Sequence, residues 1–150
     1  MLSVGLCVFA VCTEKTVTTE RGDETTCRVL FLDGGTLESI GSYELDRLES
    51  VLSIISGSFH SSDVDSESGS GKNSAGGSTI SAEYFIVGTA RVNPDELEPS
   101  KGRLLVFEVT ADRRICLVNE CEVPGAAFSM AMVEGKLAVG VSSKVCLSRS

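Results

Sequence analysis

Apolar residues along this chain come in short runs, and turn-forming residues break them at close intervals. Segments of four to nine residues rich in Val, Ile, Leu and Phe lie between clusters of Gly, Pro, Asp and Ser, which is a strand pattern. Early strands are predicted near Leu6–Cys12, Cys27–Leu32, Leu37–Leu45 and Val51–Phe59. Later ones fall near Tyr84–Val92, Leu104–Val109 and Arg114–Glu122, and the last three at Ala126–Val133, Lys136–Val141 and Lys144–Leu147. Turns are expected at Asp33-Gly34-Gly35, Pro124-Gly125, Glu134-Gly135 and Ser142-Ser143, where the residues suit a reversal. The clearest hairpin is Met132–Leu137, with Glu-Gly at its centre.

Several strands do not alternate. Tyr84–Val87, Leu104–Phe107 and the run from Ala126 to Met132 are apolar on both faces, so each is expected to be covered on both sides. Turns of hairpin length force antiparallel neighbours, and no convincing helix separates the strands. Small antiparallel sheets stacked face to face meet these demands, as in a β-propeller. The expected fold class is therefore all-β, built of antiparallel β-propeller blades. One segment competes: Leu45, Leu48, Leu52 and Ile55 make a helical stripe. Ser50, Val51, Ser53, Ile54, Ser56 and Gly57 favour strand and turn there, and the strand reading is kept.

Charge narrows the function classes. The net charge is −8, and it is uneven: residues 1–59 carry −5, residues 60–99 carry −5 and residues 100–150 carry +2. A surface so acidic over two thirds of its length repels a phosphate backbone, so a basic nucleic-acid-binding module is disfavoured. No apolar run reaches the roughly 18 residues of a membrane span. Leu2–Cys12 lacks the basic start and the small-x-small cleavage site of a signal peptide, and it suits a buried strand better. Without a signal, the cysteines are expected as thiols in a reducing compartment.

Six cysteines are candidate metal ligands. Cys7/Cys12 and Cys116/Cys121 are spaced by five, and on a strand an odd offset puts two side chains on opposite faces. That spacing does not suit a zinc knuckle, and the cysteines read as small buried apolar residues. No metal site and no cofactor are expected. The single histidine, His60, lies beside a Ser-rich loop, and no nucleophile elbow or phosphate-binding fingerprint occurs. No enzyme activity is expected. Residues 61–82 hold eight Ser and four Gly and read as a flexible insertion, with Ser62, Ser66 and Ser68 as candidate phosphorylation positions. The chain is otherwise taken as one partial propeller region over residues 1–150.

The stretch from Tyr84 to Phe107, with Tyr-Phe-Ile-Val-Gly-Thr-Ala, then Pro94, Glu96, Glu98-Pro99 and Lys101-Gly102-Arg103, is long and idiosyncratic. It resembles the family that joins the large subunit of the DNA damage-binding protein with cleavage/polyadenylation and splicing-factor subunits. Gly34–Phe59 looks like the preceding strand pair of that family, and Gly125–Met130 with Gly135–Leu137 like its next hairpin. The acidic Pro94–Pro99 loop before Lys101-Gly102-Arg103 is most similar to the damage-binding branch.

The resemblance implies part of a scaffold of three seven-bladed propellers, here from the third, which with the first forms a receptor-binding clamp. Such a scaffold links a cullin 4 ubiquitin ligase to WD40-type substrate receptors. It recognises damaged DNA through a smaller partner, so nucleic-acid contact is indirect or weak. No membrane is involved, and the location is nuclear, also cytoplasmic. At about 40–45 residues per blade, the strands make two blades and part of a third. We therefore expect a fragment, or a form completed by pairing with another chain. Two sets of contact residues are expected: Asp95, Glu96 and Glu98 on the acidic loop, facing a basic receptor segment; and Ala126, Ala127 and Phe128, whose small residues would admit a partner helix. The alternative function is a propeller subunit of mRNA cleavage/polyadenylation or splicing that contacts RNA or its complex. A third reading is a secreted, disulfide-bonded domain.

Overall fold

The structure, a computed structural model, describes residues 7–58 and 82–148. Ten strands run in chain order: β1 (Val8–Thr19), β2 (Gly22–Asp33), β3 (Ser39–Glu44), β4 (Glu49–Ser58), β5 (Glu83–Arg91), β6 (Gly102–Val109), β7 (Ile115–Val123), β8 (Ala127–Val133), β9 (Lys136–Val141) and β10 (Lys144–Ser148). Every pairing is antiparallel, and the strands form three sheets of order β1-β2-β3, β4-β5-β6-β7 and β10-β9-β8. The fold is all-β, and the sheets stack as antiparallel β-propeller blades. The Leu45–Ile55 stripe does not form a helix: Leu45 is buried in the β3–β4 loop, Leu48 lies in the same loop with φ of 64°, and β4 takes up Leu52 and Ile55. The Ser/Gly-rich insertion, His60 and the start of the first predicted strand lie outside the described residues, apart from Ala82.

Two apolar seams hold the stack together. Between the first and second sheets, Val29, Phe31, Phe85, Val87, Leu105 and Phe107 are buried. Phe31 meets Phe85 edge-on at 5.6 Å and Phe107 at 5.1 Å between ring centres, and Tyr43 closes on Phe107 at 5.2 Å. Between the second and third sheets, Ile86, Leu104, Ala127, Leu137, Val139 and Val141 form a smaller seam. β5 therefore feeds both seams, with Phe85 and Val87 on one side and Ile86 on the other. This is the double-sided burial expected of it. β8 departs from that expectation. Only Ala127 is buried, and Phe128, Ser129, Ala131 and Val133 are exposed, because the third sheet packs on the second through one face and no other sheet among the described residues covers its second face.

Three local features differ from the sequence reading. The first hairpin is longer: β1 and β2 pair without interruption from Val8↔Asp33 to Thr19↔Gly22, while β3 joins β2 only from Arg28 to Leu32. Residues 14–27 thus form a two-stranded ribbon past the end of β3, and Thr16 and Thr25 hydroxyls bond across it at 3.0 Å. Secondly, a bulge shifts the β6–β7 register. Cys121 lies opposite Leu104 and Cys116 opposite Glu108, partners four apart, so the two thiols share a face. The odd spacing of five would have parted them in a regular strand. Thirdly, only Cys27 is buried; Cys7, Cys12, Cys116, Cys121 and Cys146 are exposed, and all six are free thiols. The expectation of small buried core residues holds for Cys27 alone.

The β8–β9 hairpin turns through Glu134 and Gly135, with φ of 48° and 72°. Positive φ at both central residues matches the right-handed twist of the flanking strands.

Candidate interaction site

At one end of the stack the β3–β4 loop, the β5–β6 loop and the β7–β8 and β9–β10 turns are linked by backbone contacts. Val92 N–H donates to the Leu48 carbonyl at 2.7 Å, and Arg91 N–H to the Lys101 carbonyl at 2.8 Å. Ser142 N–H donates to the Ala126 carbonyl at 2.9 Å, and the Ala126 N–H in turn donates to the Ser142 hydroxyl at 3.2 Å. Gly102 is where these loops press closest. A Cβ there would run into the carbonyl oxygens of Thr89 and Gly125.

The β5–β6 loop is closed at its neck by the Arg91–Lys101 bond and again within itself. Glu96 accepts from the Ser100 hydroxyl at 3.0 Å and from the Ser100 N–H at 3.2 Å. These bonds hold the Glu96 carboxyl below its ordinary range. Of the three acids expected as contacts, Glu96 is therefore committed to shaping the loop. Asp95 and Glu98 are exposed, as is Leu97, which stands wholly in solvent at the tip.

Below the loop lies an ion network that crosses the whole second sheet. Arg103 on β6 reaches Glu49 on β4 with two nitrogens, Nε at 2.8 Å from Oε1 and Nη2 against Oε2. Its Nη1 donates to Glu120 on β7 at 2.7 Å. Thr89 on β5 donates its hydroxyl to Glu49 at 2.6 Å and accepts the Arg103 N–H at 3.0 Å. Asp46 adds its N–H to Glu49 at 3.2 Å, and its carboxylate takes Arg91 at 3.3 Å. Burial would raise the Glu49 carboxyl, but the Arg103 and Thr89 bonds and the guanidinium charge outweigh it and hold the carboxyl below its ordinary value. The same bonds push Arg103 upward against its own burial. A bidentate guanidinium–carboxylate pair of this kind fixes orientation as well as energy. The network sets the neck of the loop, because Arg103 follows directly on Gly102. Sequence reasoning missed Glu49, which stands among serines with no pattern to mark it.

The second expected set divides. Ala126 and Ala127 are fully buried and offer no surface, which corrects the expectation that they admit a partner. Phe128 is 56 % exposed. The structure brings it to the acidic loop: Leu97, Glu98, Pro99, Phe128, Ser142 and Ser143 line one groove of about 380 Å³. Glu98 and Phe128, thirty positions apart in the chain, thus share a site, whereas Asp95 and Glu96 lie outside its lining.

No group of three or more His, Cys, Asp or Glu side chains that could hold a metal ion occurs among the described residues. Stacked propeller blades, with a shaped loop and a half-apolar groove at one end, define a segment of a β-propeller protein with a surface suited to binding. Residues 26–150 match the model of the CPSF A subunit region, and the chain belongs to that family, which also holds the DNA damage-binding proteins. It is 35 % identical over 139 residues to DNA damage-binding protein 1 of Solanum lycopersicum, covering 93 % of this chain and 11 % of that protein. The DNA damage-binding protein 1 of Oryza sativa subsp. japonica is 38 % identical over the same shares. That of Caenorhabditis elegans is 32 % identical over 130 residues, 85 % of this chain and 10 % of the relative. The chain spans about a tenth of the length of these relatives.

Proposed function

We propose that this chain is an interaction segment of a damaged-DNA-binding, cullin 4 ubiquitin-ligase adaptor scaffold, and that it engages WD40-type substrate receptors through the groove between Glu98 and Phe128. The observation that carries this reading is the groove itself: an exposed aromatic ring and a carboxylate on a braced loop form one contact surface. Large aromatic anchors beside a polar rim are what protein interfaces use for most of their affinity. The chain has no catalysis of its own in this reading. It acts in the nucleus and also in the cytoplasm, and it meets nucleic acid only through its partners, since the net charge of −8 opposes direct phosphate contact.

The test is a pull-down of a WD40-type receptor by the chain, comparing wild type with Phe128→Asp and Glu98→Lys. Loss of an anchor of about 2 kcal/mol lowers affinity roughly thirtyfold, so Phe128→Asp should abolish capture and Glu98→Lys should weaken it. Capture unchanged by either substitution would remove the groove as the contact. A filter-binding assay at low salt covers the RNA alternative; retention of RNA by the chain alone would favour it.

A further inference from the structure

Away from the loop-bearing end, a cleft of about 230 Å³ opens between the second and third sheets. Leu104, Val106, Leu137 and Val139 wall it, and two thiols line it from opposite sides, Cys121 from β7 and Cys146 from β10. The β7 bulge puts Cys121 on the same face as Leu104, and the β9–β10 register puts Cys146 opposite Val139. Both thiols are free and exposed, and Cys121 donates to the Glu122 carbonyl at 3.5 Å. The remaining cysteines serve as internal comparators. Cys116 shares the Cys121 face but lies outside the cleft lining and is the matched comparator; burial and the neighbouring Cys27 and Glu14 push the Cys12 thiol up, and Cys27 is buried.

We propose that Cys121 and Cys146 form a covalent modification site for soft electrophiles that carry an apolar chain, namely α,β-unsaturated aldehydes. The chain of the aldehyde lies along the Leu and Val walls, and this holds its β-carbon beside one sulfur or the other. The sulfur lone pair attacks the β-carbon and forms the C–S bond. The C=C π pair shifts towards the carbonyl as an enolate, and the α-carbon then takes from water the equivalent of the proton the thiol gave up. Nothing leaves, and no oxidant or reductant is consumed. Facing thiols let the aldehyde bind in either direction and still meet a nucleophile.

The test treats the purified chain with trans-2-nonenal or with acrolein, which share the reactive group and differ in chain length, and maps adducts by peptide mass spectrometry. Nonenal should label Cys121 and Cys146 at least about tenfold faster than Cys116, the gain from burying roughly two methylene groups. Acrolein should show no such preference, and denaturant should erase that of nonenal. Equal labelling of all exposed thiols by nonenal would overturn the proposal. So would a preference that acrolein shares, since reactivity of the thiols alone would then explain it. The comparison needs no variant. Cys121→Ser should leave Cys146 labelled with the nonenal preference, and loss of that preference in a chain that still melts cooperatively would overturn the cleft as the cause.

Discussion

Glu49 is only 3 % exposed, yet it stays charged because Arg103 and Thr89 hydrogen-bond the ionised form. Folding lowers its pKa, so the unfolded chain binds more protons in the acid range. Its contribution is fully present above the unfolded value of about 4.3 and is lost as pH falls through the folded value. Thermal melts across that window should show wild type losing stability steeply, while Glu49→Gln follows a flatter curve from a lower start. Near neutral pH, Glu49→Gln should cost about 2 kcal/mol, because it removes the buried charge that Arg103 and Thr89 bond and leaves Arg103 only its outer partners Glu120 and Asp46. A variant as stable as wild type would show that the pair is not the brace we describe. Little of this was legible in the sequence. Lys101-Gly102-Arg103 stood out as a motif, but a lone glutamate fifty-four residues earlier carries no local sign of its partner. A burial pattern shows where apolar residues go and is silent about a charge placed among them.

At the scale of strands, legibility followed the apolar runs. Each of the ten strands overlaps such a run, and the Glu134-Gly135 hairpin fell where its turn chemistry put it. The β1–β2 ribbon was missed because residues 14–27 hold threonines and charges with few apolar positions to alternate. Threonine favours strands, but its signal was not counted where no core face existed. The β7 bulge was missed for a different reason: one unpaired residue leaves composition unchanged and reverses every face beyond it. Deleting Val118, which the register leaves without a β6 partner, should remove the bulge and keep Ile115 opposite Val109, where it packs against the first seam. We expect a melting temperature near that of wild type and an unchanged preference for nonenal at Cys121, which stays opposite Leu104. A deletion variant that melts well below wild type would mean that the bend the extra residue puts into β7 is needed.

For the molecule as a whole, the two seams are unequal. The first buries three phenylalanines around their ring contacts, and the second is aliphatic and smaller. Opening free energy follows buried apolar contact, so the third sheet should open first. Hydrogen exchange read by mass spectrometry should show β8–β10 amides exchanging well before those of β5 and β6; uniform protection would mean that the three sheets open as one unit. Stacking of blades was legible from the two-faced strands, whereas the groove was not, since Glu98 and Phe128 meet only through the return of the chain. The two closures of the β5–β6 loop have a consequence of their own. Its shape is set by Arg91, Lys101, Glu96 and Ser100, and its outward chemistry by Asp95, Leu97 and Glu98. Those two sets do not overlap. The outward three can be rewritten while the frame stands, so related chains are free to diverge in what they recognise without refolding the blade, and the loop can be grafted as a display cassette.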